Sequence, residues 1–88
     1  MPDSGLKAQR LADKINIYEI YRLQLLEKHM ADAAKAENIE VETQAQFDNL
    51  NQLLLRAKDD TNAFRRAQLE AESLRRFLHR HADRVETR

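Results

Sequence analysis

The residues of this 88-residue chain that could do chemistry are few: three histidines, two serines and one adjacent pair of aspartates. His79 and His81 are two apart, a spacing that a helix turns through about 200°, so the two rings cannot share a metal ion. His79 and Asp83 stand at i,i+4 and could supply two zinc ligands, but one such pair supplies two ligands only and no other cluster is near in the sequence. The simpler reading of both histidines is a solvated ring near a helix C-terminus, where the helix dipole favours it. His29 stands alone and takes the same reading. Nucleophilic catalysis needs a Ser, Thr or Cys held beside a base and an oxyanion hole. The serines are Ser4, in the opening segment, and Ser73, among charges. Gly5 is the sole glycine, so there is no glycine-rich phosphate loop. Asp59-Asp60 reads as a cap, a turn or an interruption of an apolar seam rather than an acid/base pair. The expectation is a chain that is no enzyme, holds no metal or cofactor and has no small-molecule substrate.

The arginines offer a different chemistry. Arg76, Arg80, Arg84 and Arg88 recur every four residues and so form one helical stripe. Guanidinium groups hold carboxylates or phosphates bidentately, which makes Arg76, Arg80 and Arg84 candidate contacts to an acidic partner or to nucleic acid. Glu72 lies four residues before Arg76, so part of the stripe is expected to be paired internally. The bland alternative is a solvated face whose cations suit the C-terminal end of a helix.

The elements that must position these residues are helices. Residues 6–88 contain no Gly and no Pro, and tight β turns need them. Leu11, Ile15, Tyr18, Leu25, Leu26 and Met30 recur at three- and four-residue steps, and Ala31, Ala33, Ala34 and Ala36 follow. This predicts a first helix over about 6–36, after a disordered lead at 1–5 from which Asp3 or Ser4 caps it. Within it, residues 15–25 alternate in part like a strand, but helix-favouring sequence flanks them on both sides. Residues 37–43 lose the period, and Thr43 with Gln46 has capping-box form, so the connection is placed at about 37–43.

From about 43 to 83 a second helix carries the clearest pattern. Leu50, Ala57, Phe64, Ala71 and Leu78 recur every seven residues, and Leu53, Asp60, Ala67, Leu74 and His81 lie three further on. The seam runs unbroken through Lys58-Asp59-Asp60-Thr61-Asn62, which favours one continuous helix. The last four of these, Asp59 to Asn62, are nevertheless poor helix formers and good N-caps, so a break at 59–62 is the alternative. The first case gives an antiparallel hairpin of two long helices; the second gives a compact three-helix bundle.

Composition sets the partner class. Hydrophobic residues make up 42 % and charged residues 34 %, and fifteen basic residues balance fifteen acidic ones. Zero net charge argues against a protein whose main work is neutralising phosphates. The charges are uneven: residues 27–64 carry eight acids against four bases, and residues 65–88 carry seven bases against four acids. Cysteine is absent, which excludes disulfides and permits a reducing cytosol. No stretch reaches the ~20 apolar residues of a membrane span, and the opening residues lack a signal-peptide core. A cytoplasmic protein is expected.

A hairpin one layer thick leaves part of each apolar stripe wet and calls for a second copy or a client helix. The expected function is therefore non-enzymatic: a protein-interaction module, whether adaptor, small chaperone or structural subunit, that packs its helices against itself or a partner. The expected interface residues are Ile15, Ile17, Ile20 and Tyr21 in the first helix, and Leu50, Leu53, Phe64, Leu74, Phe77 and Leu78 in the second. Tyr21 and Phe77 are included because they lie off the main stripes. The runner-up is a nucleic-acid-associated regulator that uses the arginine stripe. An amphipathic membrane-surface helix is the weakest reading, because the strongest apolar segment lacks a dense basic flank.

Overall fold

The computed structural model describes residues 2–82. These form three helices, α1 (Pro2–Lys28), α2 (Ala33–Ala57) and α3 (Thr61–His81), each packed on the other two. The break near residue 60 is present, and the two-long-helix alternative is replaced by three helices of 27, 25 and 21 residues.

Helix α1 begins at Pro2 and not near Leu6, so Asp3 and Ser4 are inside it. Proline suits a first turn, where its missing N–H would have had no partner. The partly alternating segment 15–25 is helical throughout. The first connection falls at residues 29–32, not at 37–43. There the Met30 N–H donates to the Glu27 carbonyl at 3.3 Å and the Asp32 N–H to that of His29 at 2.8 Å. Asp32 caps α2, its carboxylate accepting from the Lys35 N–H at 3.1 Å. The alanine run therefore straddles a boundary: Ala31 lies in the turn, while Ala33, Ala34 and Ala36 open α2. Segment 37–43 is helix interior. Ile39 and Thr43 are fully buried, and this burial outweighs the weak intrinsic preference of β-branched residues. The Thr43 hydroxyl donates to the Ile39 carbonyl at 2.7 Å, so it caps nothing.

The second turn, at residues 58–60, rests on Asp60. Its carboxylate accepts from the N–H groups of Asn62 at 2.9 Å and Ala63 at 3.3 Å. Lys58 ends α2 at φ −61°, and Asp60 opens α3 at φ −135°. Each turn hands the next helix an aspartate cap, Asp32 at φ −110° and Asp60 at φ −135°, which starts α2 and α3 without a glycine.

Lys28 Nζ donates to the Ala82 carbonyl at 2.7 Å, joining the far ends of α1 and α3. Arg22 reaches Glu40, and Asn49 donates to Glu70, across the two antiparallel pairs. Thus α1 and α3 run one way and α2 the other. The bundle measures 48 × 27 × 15 Å. Its core joins Leu11, Ile15 and Leu25 of α1, Phe47, Leu50 and Leu53 of α2, and Ala63, Ala67, Ala71, Leu74 and Leu78 of α3.

Candidate protein-interaction surface

The structure divides the expected interface residues into two sets. Ile15, Leu50, Leu53, Leu74 and Leu78 are all at most 4 % exposed and pack on one another within the chain. Phe64, Tyr21 and Phe77 are half-buried against the same core. The heptad seam is thus closed by the chain's own α2 and α3, with Ala57, Ala67 and Ala71 allowing their backbones to approach. Ile17 and Ile20 are different, at 62 % and 57 % exposed, and Leu23 joins them at 54 %.

These three side chains follow one another at three-residue steps on the outward side of α1. At 100° per residue, Ile20 points about 180° away from the mean direction of the buried Leu11, Ile15 and Leu25. Asn16 and Gln24, one turn either side of Ile20, are exposed and uncharged, and Asp13 and Glu27, two turns either side, are exposed acids. The outcome is a short apolar centre with an acid at each end.

The inward face of the same helix carries a charge that the sequence reading did not single out. Arg22 is 6 % exposed. Its Nη1 lies 3.0 Å from Glu40 Oε1, its Nη2 lies 3.9 Å from Glu19 Oε2, and the guanidinium sits 5.5 Å from the centre of the Phe47 ring. Nε and Nη1 have no aligned hydrogen-bond acceptor. The Glu40 contact is therefore an ion pair by proximity rather than a directed bond, and it only partly offsets the cost of burying the cation. The signal was available: position 22 continues the 11, 15, 18, 25 stripe that the core uses.

The end of the bundle where α1 and α3 finish gathers all three histidines. His29 is 8 % exposed, with Nε2 3.0 Å from the His81 carbonyl. The Tyr21 ring meets His79 edge-on at 5.7 Å, and Phe77 meets His81 at 4.4 Å. Among the described residues, no three His, Asp or Glu side chains are grouped to hold a metal ion. Asp83, the expected partner of His79, lies outside the described residues, as do Arg84 and Arg88. The arginine stripe is therefore seen at Arg76 and Arg80 only. Arg76 Nε lies 3.8 Å from Glu72 Oε2, the expected internal pair, and Arg80 stacks 5.8 Å over the Phe77 ring.

Glu72 is the hub of this face. Its hydrogen bonds from Arg75, followed by the nearby charges of Arg75, Arg76 and Lys14, hold its carboxyl below the usual range. The same bond raises the Arg75 guanidinium. Across on α1, partial burial pushes the Tyr18 phenol up, and Arg75 offsets part of that rise.

No helix among the described residues is long and apolar enough to cross a membrane. The chain matches no protein-family model, no curated protein and no solved structure at a significant level.

Proposed function

We propose that this chain is a non-enzymatic protein-interaction module, of the adaptor, small-chaperone or structural-subunit kind, that receives a client helix on the outer face of α1. The observation that carries this reading is the run of Ile17, Ile20 and Leu23, each more than half exposed on one continuous helix. The occupant is a helix from another protein, with an apolar centre and basic residues about two turns either side. A second copy fits less well. If α1 paired with its own copy in antiparallel fashion about Ile20, Asp13 would face Glu27; if the pairing were parallel, each acid would face itself. Like charges set opposite one another disfavour both pairings.

The test has two parts. Light scattering over a dilution series is expected to give a monomer. A synthetic helical peptide with a leucine centre, and lysines seven residues either side, is then titrated into the protein. Ile20→Asp is expected to weaken binding by about 10- to 100-fold, the equivalent of the ~1.5–3 kcal/mol from burying one such side chain. Equal binding by Ile20→Asp, or none by the unaltered chain, would refute the reading.

A further inference from the structure

Toward the other end of the bundle, α1 and α3 line an open groove of about 470 Å³ along residues 7–14 and 61–68. Lys7, Arg10 and Lys14 line it from α1, and Arg65 from α3. All four are exposed, and among the side chains described none of them is within ion-pair or hydrogen-bond distance of a partner, though Lys14 lies near enough Glu72 to lower its carboxyl. Leu11 and Phe64 form the apolar part of the lining. Such a concentration of cations is uneven for a chain of zero net charge. The arginine stripe at the far end differs, since Arg76 is tied to Glu72 and Arg80 to Phe77.

We infer that this groove is a second binding site, separate from the outer face of α1, and that it takes an acidic amphipathic segment of a partner protein. Three features select that class. Lys7, Arg10 and Lys14 stand at i, i+3 and i+7, within about 60° of arc, and rise by roughly 4.5 and 6 Å. A helix laid along them repeats carboxylates at the same rises when acids occupy its own i, i+3 and i+7. Arg65 faces this row from across the groove, so the segment is clamped from two sides, and the fork of Arg10 or Arg65 suits a carboxylate. Leu11 and Phe64 give the segment's apolar side chains a surface, which an ion alone would not need.

A nucleic-acid strand is the competing ligand, and the charge pattern disfavours it. The cationic stretch is only about two turns long. Along α1 it is interrupted by Asp13 and followed by Glu19, and along α3 it gives way to Glu70 and Glu72. A continuing phosphate backbone would meet these carboxylates.

Fluorescence anisotropy on the full chain tests the inference with three probes. One is a labelled peptide with glutamates at i, i+3 and i+7 and leucines between, the second is the same peptide with glutamine for glutamate, and the third is a single-stranded oligonucleotide. The glutamate peptide is expected to bind and the glutamine peptide to bind at least about tenfold more weakly. Arg10→Ala combined with Arg65→Ala is expected to cost about tenfold, at an energy typical of two exposed charges. Ile20→Asp is expected to leave this binding unchanged, which separates the groove from the face of α1. Because all the altered side chains except Ile20 are exposed cations, an unchanged circular dichroism spectrum and urea midpoint confirm that each variant is folded. The inference is overturned if the glutamate peptide does not bind, if the glutamine peptide binds equally, or if the double variant binds like the parent. It is also overturned, in favour of nucleic acid, if the oligonucleotide binds more tightly than the peptide and is released steeply by salt.

Discussion

The α2–α3 contact and the seat of α1 are built from different materials. Helices α2 and α3 bury Ile39, Phe47, Leu50, Leu53, Ala57, Ala63, Ala67, Ala71, Leu74 and Leu78, with no charge among them and Thr43, bonded to the Ile39 carbonyl, as a polar exception. Alanines draw the two backbones together, and leucines fill what remains. Helix α1 also sets Leu11, Ile15 and Leu25 against that pair, but its inward face adds Arg22, Tyr18 and Tyr21, and the turn after it adds His29. Each of these brings a polar atom that must be satisfied or carried at a cost. Its outward face leaves Ile17, Ile20 and Leu23 in water. Helix α1 thus carries the polar compromise together with a run of exposed apolar side chains at three-residue steps, whereas α2 and α3 expose Val41, Leu55 and Leu69 singly.

The largest expected effect tests the apolar side of this contrast. Leu74 is fully buried at the centre of α3, so Leu74→Ala should lose ~2–5 kcal/mol in urea unfolding. Leu23→Ala on the exposed face should stay within about 0.5 kcal/mol. Similar losses at the two positions would mean that the described burial is wrong. Close approach through alanine is tested next. Ala67→Leu must push α2 and α3 apart and should cost ~1–3 kcal/mol despite adding apolar surface; a gain in stability there would show that the seam is loose.

The polar side is tested at Arg22. Replacing a poorly bonded buried cation by an isosteric apolar group is often neutral or stabilising. Arg22→Met should therefore fall within about 1 kcal/mol of the parent or above it. A loss of more than about 2 kcal/mol would instead make the Glu40 and Phe47 contacts a main support of α1. The turns come next, since each depends on one aspartate: Asp60→Ala should cost about 1 kcal/mol. Asp32→Ala should cost somewhat less, because its carboxylate accepts one N–H where that of Asp60 accepts two.

The smallest effect is electrostatic. Glu72 is held below its ordinary value by Arg75. A carboxyl depressed in the folded state contributes stability that is present above its unfolded value and lost as pH falls through the folded one. The urea midpoint of the parent should therefore drop slightly more than that of Glu72→Gln between about pH 6 and about pH 3. Parallel pH curves for the two proteins would show the pair to be without consequence for α1–α3 packing.

Much of this molecule was legible in the residue order. The absence of Gly and Pro after residue 5, the three- and four-residue spacing in α1 and the heptads over 50–78 require helices, and these are what form. The same heptads named the core correctly through Leu50, Leu53, Leu74 and Leu78. Arg22 could have been read from its place on the α1 stripe. The two turns that were misplaced or held second to a continuous helix are both aspartate-capped, inside sequence that otherwise favours helix. Asp32 stands in an alanine run, and Asp60 stands on a seam position.

The deeper reason concerns periodicity itself. A heptad seam records which side chains seek cover, and says nothing of whether the cover comes from another molecule or from the same chain turned back. After the turn at 58–60, the stripe of α3 faces the stripe of α2, and in sequence the two read as one line. Residue order therefore determined helix content, the buried stripes and the scarcity of catalytic groups, because these follow from local spacing and residue type. Only the tertiary structure decided that the seam is satisfied within one chain, that Ile17, Ile20 and Leu23 are left uncovered, and that Arg65 comes opposite Lys7, Arg10 and Lys14. Those outcomes depend on the direction in which each turn sends the next helix, which a one-dimensional period does not contain.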